Sequence, residues 1–360
     1  MNSRVIKILI ISLVSLTIIT IGLYFILKAE SPEQIFAKNK KAVVFITTYN
    51  LLGEPLLQGS GFFLAEDGIV ATNYHVIKDA ANIQVKTYDD RVLQPEGVIH
   101  IDEDNDVALI KFKVKEETKL YKIRLGDPSK LEVGEIVYAI GNPKGLESTF
   151  SDGIVSGIRE INKGVQLIQI TAPISQGSSG GPVLNKHGRA IGVSTFLIKD
   201  GQNLNFAFPI SLIKDAMKTK KIIYTFPNVD ANWQLIEKKE LDPFFDPFAD
   251  RFIGIGVRER YYDPDSVINL TEDIKGFWLK NTYSVKFSSI YSINKEERFT
   301  TYYHFYEVDC NEETFRVKVG FHIDEVKNTS NSIEFSLTDK MWFEIPDFDK
   351  IRMNICPSSQ

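Results

Sequence analysis

Short apolar runs alternate with polar turns from about residue 43 to residue 208, and this pattern predicts a protein built mainly of β-strands. The runs are rich in Val, Ile, Phe and Thr and are too short for typical helices. Two groups of six candidate strands result: 43–48, 61–64, 69–72, 83–88, 92–101 and 107–112, followed by 136–140, 154–158, 166–172, 182–184, 190–195 and 204–208. The two groups predict two six-stranded β-barrels, joined by the charged stretch 113–122 and separated by a cleft.

The segments that flank these groups have a different pattern. Residues 30–39 are polar and predict a linker. Ser211 is a suitable N-cap for a short closing helix at 212–218. Beyond about Thr225 the aromatic residues become denser and no long helical period is present, which predicts a second, β-rich domain.

The N-terminus contains an uncharged run at 8–27, preceded by Arg4 and Lys7. About 20 helical residues span a bilayer core of about 30 Å. The run is longer than the apolar part of most signal peptides, and it ends in large residues at 25–27 instead of the small ones of a cleavage site. We therefore expect one uncleaved transmembrane helix with the N-terminus inside, and a cleaved signal peptide is the alternative.

Composition restricts the classes of ligand. A net charge of −5 and a pI near 5.7 leave no basic stripe for nucleic acid. The sequence lacks the motifs of nucleotide-binding loops and of zinc sites, so neither a cofactor nor a metal is expected. The only two cysteines, Cys310 and Cys356, lie in the second domain on the predicted exported side, where a disulfide is expected.

A serine flanked by glycines occurs in the hexapeptide Gly177-Ser178-Ser179-Gly180-Gly181-Pro182. A tight turn of this kind exposes the hydroxyl of Ser179, and the N–H groups of Gly177 and Ser179 can point at an oxyanion. An ordinary Gly/Ser turn is the alternative interpretation. The choice depends on whether a base and a carboxylate occur elsewhere in the chain.

Two further segments supply those partners. His75 follows the apolar run 69–72, and Asp106 directly precedes the run 107–112, where a carboxylate can be shielded from water. The order of His75, Asp106 and Ser179 predicts a Ser-His-Asp triad. The weaker candidates for base and carboxylate are residues of a sheet face, a polar turn and a solvated acidic loop: His100, His187, Asp102 and Asp104.

The motifs TNYHVI, NDVALIK and GSSGGPVLN, in this order and spacing, resemble the HtrA/Deg branch of the chymotrypsin-fold serine proteases. The resemblance covers about residues 36 to 218 and includes GSGFF at 59–63. It implies an all-β, chymotrypsin-like double barrel in which Ser179 is the nucleophile, His75 the base and then the acid, and Asp106 the orienting carboxylate. The N–H groups of Gly177 and Ser179 become the oxyanion hole. Ser178 departs from the family, which usually has Asn or Asp there.

The same resemblance implies where the substrate pocket lies. Its walls should come from residues 171–176 and 192–196, with Pro173, Gln176, Gly192 and Ser194 as the candidate residues. Pro173 stands where relatives that cleave after Arg or Lys have an acid, so a small or medium apolar P1 residue is expected. We expect activation by ordering of the loop 197–203 and not by zymogen cleavage.

Residues 230–360 resemble the surface-adhesin protein E-like domain of Gram-negative bacteria, through scattered aromatic motifs such as WQLI at 233–236 and YEVDC at 306–310. This resemblance implies a small β-rich docking domain, which we expect to fold on its own. The chain is thus divided into an anchor or signal segment at 1–29, a protease domain at 30–222 and a C-terminal domain at 223–360.

These features together predict a single-pass serine endopeptidase of the bacterial inner membrane, with its protease and C-terminal domains in the periplasm. Signal cleavage would instead give a secreted or periplasmic enzyme. The expected partners are exported or misfolded polypeptide substrates, the inner membrane at residues 8–27, and an envelope protein or peptide on the C-terminal domain; a homo-oligomer is left open. The alternative function is a catalytically silent envelope binding protein or adhesin that uses the protease fold as a scaffold.

Overall fold

The computed structural model describes Ser15, Thr17 and residues 30–360 with gaps at 116, 143–147, 162–163, 176, 196–204, 219–220, 229, 242–243, 247–250, 254–255, 271–273, 287–296, 312–313, 325–328, 334–342, 345–354 and 357–360. Apart from Ser15 and Thr17, the predicted transmembrane helix at 8–27 lies outside the described residues. In the described part of the chain, no helix is both long and apolar enough to cross a membrane.

The first group of strands forms one seven-stranded sheet in the order β5-β4-β1-β2-β3-β7-β6. The prediction of a single strand over 92–101 is wrong: the run breaks just before Pro95, which has no N–H to donate. This half therefore has seven strands instead of the predicted six. The strands are β1 (Val43–Tyr49), β2 (Pro55–Phe63), β3 (Ile69–Thr72), β4 (Asn82–Lys86), β5 (Val92–Leu93), β6 (Pro95–Asp102) and β7 (Val107–Phe112).

The second group closes into a six-stranded barrel in the order β10-β13-β12-β11-β8-β9, which confirms the prediction for this half. Inward-facing aliphatic side chains from its strands, such as Val137, Ile168 and Val183, fill its interior. The strands are β8 (Ile136–Gly141), β9 (Thr149–Glu160), β10 (Gln166–Ile170), β11 (Pro182–Asn185), β12 (Ala190–Thr195) and β13 (Asn205–Pro209).

In the part of the chain that the structure describes, three short α-helices accompany the strands: α1 (Pro32–Asn39), α2 (Tyr74–Ile77) and α3 (Ser211–Ala216). The prediction of a linker at 30–39 is wrong, because α1 occupies most of it. The Ser31 hydroxyl accepts from the Gln34 N–H, and the Gln34 side chain accepts from the Ser31 N–H. This capping box is readable from the sequence, but the polar composition of the segment favours a linker. Three-residue 3₁₀ segments occur at Lys40–Ala42, Pro128–Lys130 and Pro264–Ser266.

The C-terminal part is β-rich, as the sequence predicts. Its main sheet has the path β14-β17-β19-β20-β21-β22, with β18 added to β19 and β23 added to β21, and β15 pairs with β16 separately. Cys310 and Cys356 are joined by a disulfide bond. The strands are β14 (Gln234–Leu241), β15 (Phe244–Asp246), β16 (Arg251–Ile253), β17 (Gly256–Tyr262), β18 (Ile268–Asn269), β19 (Ile274–Lys286), β20 (Glu297–Asp309), β21 (Thr314–Asp324), β22 (Thr329–Ile333) and β23 (Phe343–Glu344).

One hydrophobic core cluster contains residues of both the first sheet and the C-terminal sheet. Trp278 and Phe305 of the C-terminal sheet belong to the same cluster as Val98 of β6 and Val76 of α2. Trp278 is completely buried. This shared core is at odds with the expectation that the C-terminal domain folds alone, because separation would expose Trp278 to water.

Candidate active site

His75 and Asp106 are brought together by two neighbouring strands of the first sheet. β3 leads into α2, which contains His75, and β7 begins directly after Asp106 and pairs with β3. The His75 Nδ1 lies 2.8 Å from Asp106 Oδ2, and the His75 main-chain N–H donates to Asp106 Oδ1 at 2.8 Å. The Asp106 side chain is 17% exposed and the His75 side chain 42% exposed, so the carboxylate is shielded while the imidazole is open.

The backbone of Asp106 has a φ of 50°, in the left-handed region that residues other than glycine adopt only with support from their neighbours. Asn73 supplies part of that support, because its Nδ2 donates to the Asp106 carbonyl at 2.9 Å. Thr195 supplies another part, because its hydroxyl donates to Asp106 Oδ2 at 3.0 Å. Asn73 therefore fixes the main chain of Asp106, and Thr195 fixes the carboxylate that contacts His75.

Sequence reasoning assigned no role to Asn73 or Thr195. Asn73 lies at the N-cap position of α2, only two residues before His75, and this position is a signal that could have identified it. Thr195 ends β12 in the other half of the domain. No local signal links Thr195 to Asp106, since the two residues are 89 positions apart.

The loop with Ser179 lies between β10 and β11 of the barrel. Gly177 and Gly180 have φ values of 94° and 88°, which strongly favour glycine. A Cβ at Gly180 would lie 2.1 Å from the Ser60 carbonyl oxygen and 2.4 Å from the Thr72 hydroxyl. The missing side chain thus lets the serine loop pack against β2 and β3, beside the helix that contains His75.

In this loop the carbonyls of Gly177 and Ser179 accept hydrogen bonds, whereas the N–H groups of the same two residues, the candidate oxyanion donors, stay free in the part of the chain that the structure describes. The Ser60 hydroxyl donates to the Gly177 carbonyl at 2.7 Å, and the Ser60 N–H donates to the Ser179 carbonyl at 2.8 Å. Within the described residues, the N–H groups of Gly177 and Ser179 have no acceptor. Ser179 is 8% exposed. No hydrogen bond joins its hydroxyl to His75 Nε2 in the described chain, and such bonds are often long in free enzymes.

Ser60 connects the serine loop to both halves of the domain. It is completely buried. Its hydroxyl accepts from the Asn142 N–H at 2.8 Å, and its carbonyl accepts from the Thr72 hydroxyl at 2.8 Å. The motif around Ser60 is visible in the sequence, but its role is not, because Gly177 and Asn142 lie 117 and 82 positions away.

Two of the predicted pocket residues lie on β12. The Ser194 hydroxyl donates to the Ser178 carbonyl at 2.8 Å, and the Ser194 N–H donates to the Gly181 carbonyl at 2.8 Å. Gly192 packs closely against β13, since a Cβ there would lie 2.8 Å from the Phe208 carbonyl oxygen. Ser194 therefore anchors the serine loop to the barrel.

The other two predicted pocket residues lie on the segment before Ser179. The Pro173 carbonyl accepts from the Ser151 hydroxyl at 2.8 Å. Gln176 and the loop 197–203 lie outside the described residues. The composition of the substrate pocket therefore stays a prediction.

The weaker sequence candidates take part in local interactions. Burial lowers the pKa of His100, although the neighbouring Asp102 acts in the opposite direction. Asp102 accepts hydrogen bonds from the main chain and side chain of Asn105, at 3.1 and 2.7 Å. The His187 N–H donates to the Asn185 side chain in a turn at 3.0 Å. Asp104 lies in the turn that precedes Asp106.

Several known proteins are similar in sequence to the region that contains the candidate site. The trypsin-like peptidase domain family matches residues 59–193. A putative serine protease HhoB of Synechocystis is 42% identical over 159 residues, which are 42% of this chain and 37% of that protein. A probable periplasmic serine endoprotease DegP-like protein of Bartonella henselae is 42% identical over 160 residues, or 43% of this chain and 31% of that protein.

Similarity extends to eukaryotic relatives. The serine protease HTRA1 of Xenopus laevis is 36% identical over 195 residues, which are 51% of this chain and 41% of that protein. The chain thus spans between 31% and 41% of the length of the three relatives. The matched region contains the paired His75 and Asp106 and the glycine-flanked Ser179. The chain therefore contains a trypsin-like peptidase domain, and this domain is similar to those of the HtrA/Deg serine proteases.

Proposed function

We propose that this protein is a serine endopeptidase in which Ser179 is the nucleophile, His75 the base and Asp106 the orienting carboxylate. The observation that carries the proposal is the 2.8 Å contact between His75 Nδ1 and Asp106 Oδ2, next to a glycine-shaped serine loop. With Nδ1 engaged by Asp106, the second imidazole nitrogen is left to act on the serine hydroxyl.

The proposed reaction proceeds through an acyl-enzyme. The Ser179 hydroxyl attacks the scissile carbonyl while His75 takes its proton, and Asp106 stabilises the resulting imidazolium. The oxyanion that forms is bound by the N–H groups of Gly177 and Ser179. His75 then protonates the leaving amine, and water activated by the same imidazole hydrolyses the ester.

The substrate specificity and the cellular compartment of the enzyme are part of the same proposal. Pro173, Gln176, Gly192 and Ser194 are proposed to lie at a pocket for a small or medium apolar P1 residue. Exported or misfolded polypeptides are the proposed substrates, and the periplasm is the proposed compartment, in line with the name of the Bartonella relative. Anchoring through residues 8–27, signal cleavage, homo-oligomer formation and docking on the C-terminal domain stay predictions.

Labelling with a fluorophosphonate tests the proposal directly, together with hydrolysis of casein. The wild-type protein should react covalently at Ser179, and Ser179→Ala should abolish both labelling and hydrolysis. The neighbouring Ser178→Ala is the matched control and should retain both. Asp106→Asn should lower kcat by about 10⁴-fold, because His75 would be misoriented. Labelling that survives Ser179→Ala would rule out Ser179 as the nucleophile.

A further inference from the structure

We infer that the C-terminal sheet positions the His75–Asp106 pair through Tyr224 and Trp278, so that this domain controls the rate of the chemical step. The inference rests on the proposed function of that pair. It differs from a docking role, in which the domain would affect only the binding of protein substrates. Trp278 and Tyr224 are positioning residues in this scheme, because they act through other residues.

The connection begins at the edge of the first sheet. β6 is an edge strand, and the segment that leads to the C-terminal domain lies alongside it. The Val98 N–H donates to the Tyr224 carbonyl at 2.9 Å, and the Ile223 N–H donates to the Val98 carbonyl at 2.7 Å. This segment therefore adds to the sheet whose strands β3 and β7 flank the candidate active site.

Tyr224 connects this segment to α2, the helix that contains His75. It is 5% exposed. Tyr224 belongs to the same core cluster as Val76 of α2, and Tyr74 packs against that cluster. Burial raises the pKa of Tyr224, and electrostatic interactions with Tyr74 and Glu103 raise it further. Tyr74 precedes His75 on α2, and the Glu103 carbonyl accepts from the Asp106 N–H at 3.3 Å. A shift of Tyr224 would therefore reach α2, and through the hydrogen bonds of His75 to Asp106 it would affect the pair.

Trp278 holds this segment from the side of the C-terminal sheet. Its indole N–H donates to the carbonyl and the hydroxyl of Thr225, at 3.2 and 3.0 Å. Its ring lies 5.5 Å from that of Phe305, which in turn lies 6.3 Å from the Tyr224 ring. The main chain of Trp278 is itself fixed, because its main-chain N–H donates to the Ser266 hydroxyl at 2.8 Å. A continuous packed path thus joins the C-terminal sheet to α2.

Phe277 provides a matched control, because neighbouring residues of a strand face opposite sides of the sheet. Trp278 and Phe277 are both completely buried. Phe277, however, packs with Tyr262 and Cys356 in a cluster on the other face, away from the first sheet. Substitutions at the two positions should weaken the same sheet, but only those at Trp278 should reach the active site.

The experiment compares Trp278→Leu, the milder Trp278→Phe and Phe277→Leu in the full chain. The readouts are kcat and KM on a short peptide, the urea midpoint, and hydrogen exchange at residues 74–77. Both Trp278 variants should lower kcat, by about 10-fold for Trp278→Leu, with little change in KM, and should speed exchange at 74–77. Phe277→Leu should lower the urea midpoint without either effect.

Equal losses of kcat in Trp278→Leu and Phe277→Leu, or unchanged exchange at 74–77 in both Trp278 variants, would overturn the inference. The exchange readout needs no enzymatic activity. A wild-type protein that fails to react with a fluorophosphonate would therefore contradict the proposed function, while the exchange comparison would still decide whether the C-terminal sheet is coupled to His75.

Discussion

At the residue scale, the site depends on buried hydroxyls as much as on the three candidate catalytic side chains. Ser60 donates to the Gly177 carbonyl and accepts from the Asn142 N–H. Thr195 donates to Asp106. These side chains fix the orientation of the serine loop and of the Asp106 carboxylate without any substrate, and such preorganisation lowers the cost of reorganisation in a transition state.

Ser60→Ala should therefore reduce kcat more than it changes KM. The substitution leaves the Gly177 carbonyl and the Asn142 N–H without their buried partner, and each unsatisfied group costs about 1–3 kcal/mol. The serine loop should relax and lose the alignment of its oxyanion donors, which peptide hydrolysis would measure as a fall in kcat of about 10-fold or more.

Ser156→Ala is the control for this prediction. The Ser156 hydroxyl is buried and has no hydrogen-bond partner among the described residues, so its removal should change neither stability nor kcat appreciably. If Ser60→Ala behaves like Ser156→Ala, the hydrogen bonds of Ser60 do not position the serine loop.

At the scale of elements, the edge of β6 is where the first sheet meets the connection to the C-terminal domain. The close approach requires a glycine at position 97. A Cβ on Gly97 would lie 2.5 Å from Ile222 Cγ2 and 2.8 Å from the Tyr224 carbonyl oxygen. The connecting segment can therefore pair with β6 only because this position has no side chain.

Gly97→Ala should push the segment 222–224 away from β6 and lower the free energy of unfolding by about 1–3 kcal/mol, as overpacking does in other cores. Urea denaturation measures the loss. Gly157→Ala in β9 is the matched strand-glycine control, since the nearest atom to its Cβ would be 3.4 Å away. Equal midpoints for the two variants would show that the segment does not pack on β6 in solution.

At the scale of the whole molecule, the two faces of the C-terminal sheet pack against different parts of the protein. The face with Trp278 packs on the first sheet, and the face with Phe277 packs near the Cys310–Cys356 disulfide. The cross-link is therefore separated from the path to the active site by the thickness of the sheet. Stability and catalysis should respond differently to its removal.

Replacing both cysteines, Cys310→Ser with Cys356→Ser, should lower the free energy of unfolding by about 4 kcal/mol, because the bridge closes a loop with a sequence separation of 46. Peptide hydrolysis under native conditions should change little. Dithiothreitol should shift the urea midpoint of the wild type to that of the variant and leave the variant unaffected. A wild-type midpoint that is insensitive to dithiothreitol would show that the bridge does not form.

The sequence alone determined most of the strands. It also identified the serine loop and the pairing of His75 with Asp106 as candidate parts of the site. Those features depend on signals within a few residues: alternating apolar positions, glycines in a tight turn, and polar residues at the ends of apolar runs. The break at Pro95 and the capping box at Ser31 also depend on local signals: a proline inside an apolar run, and a serine three residues before a glutamine.

Only the tertiary structure decided how distant segments meet. Thr195 reaches Asp106 across 89 positions, and Ser60 reaches Gly177 across 117. The sequence also suggested a separable C-terminal domain, whereas the structure buries Trp278 in a core shared with the first sheet. Alternation within a strand shows that a face is buried, but it does not show which partner covers that face, because many apolar surfaces fit the same pattern.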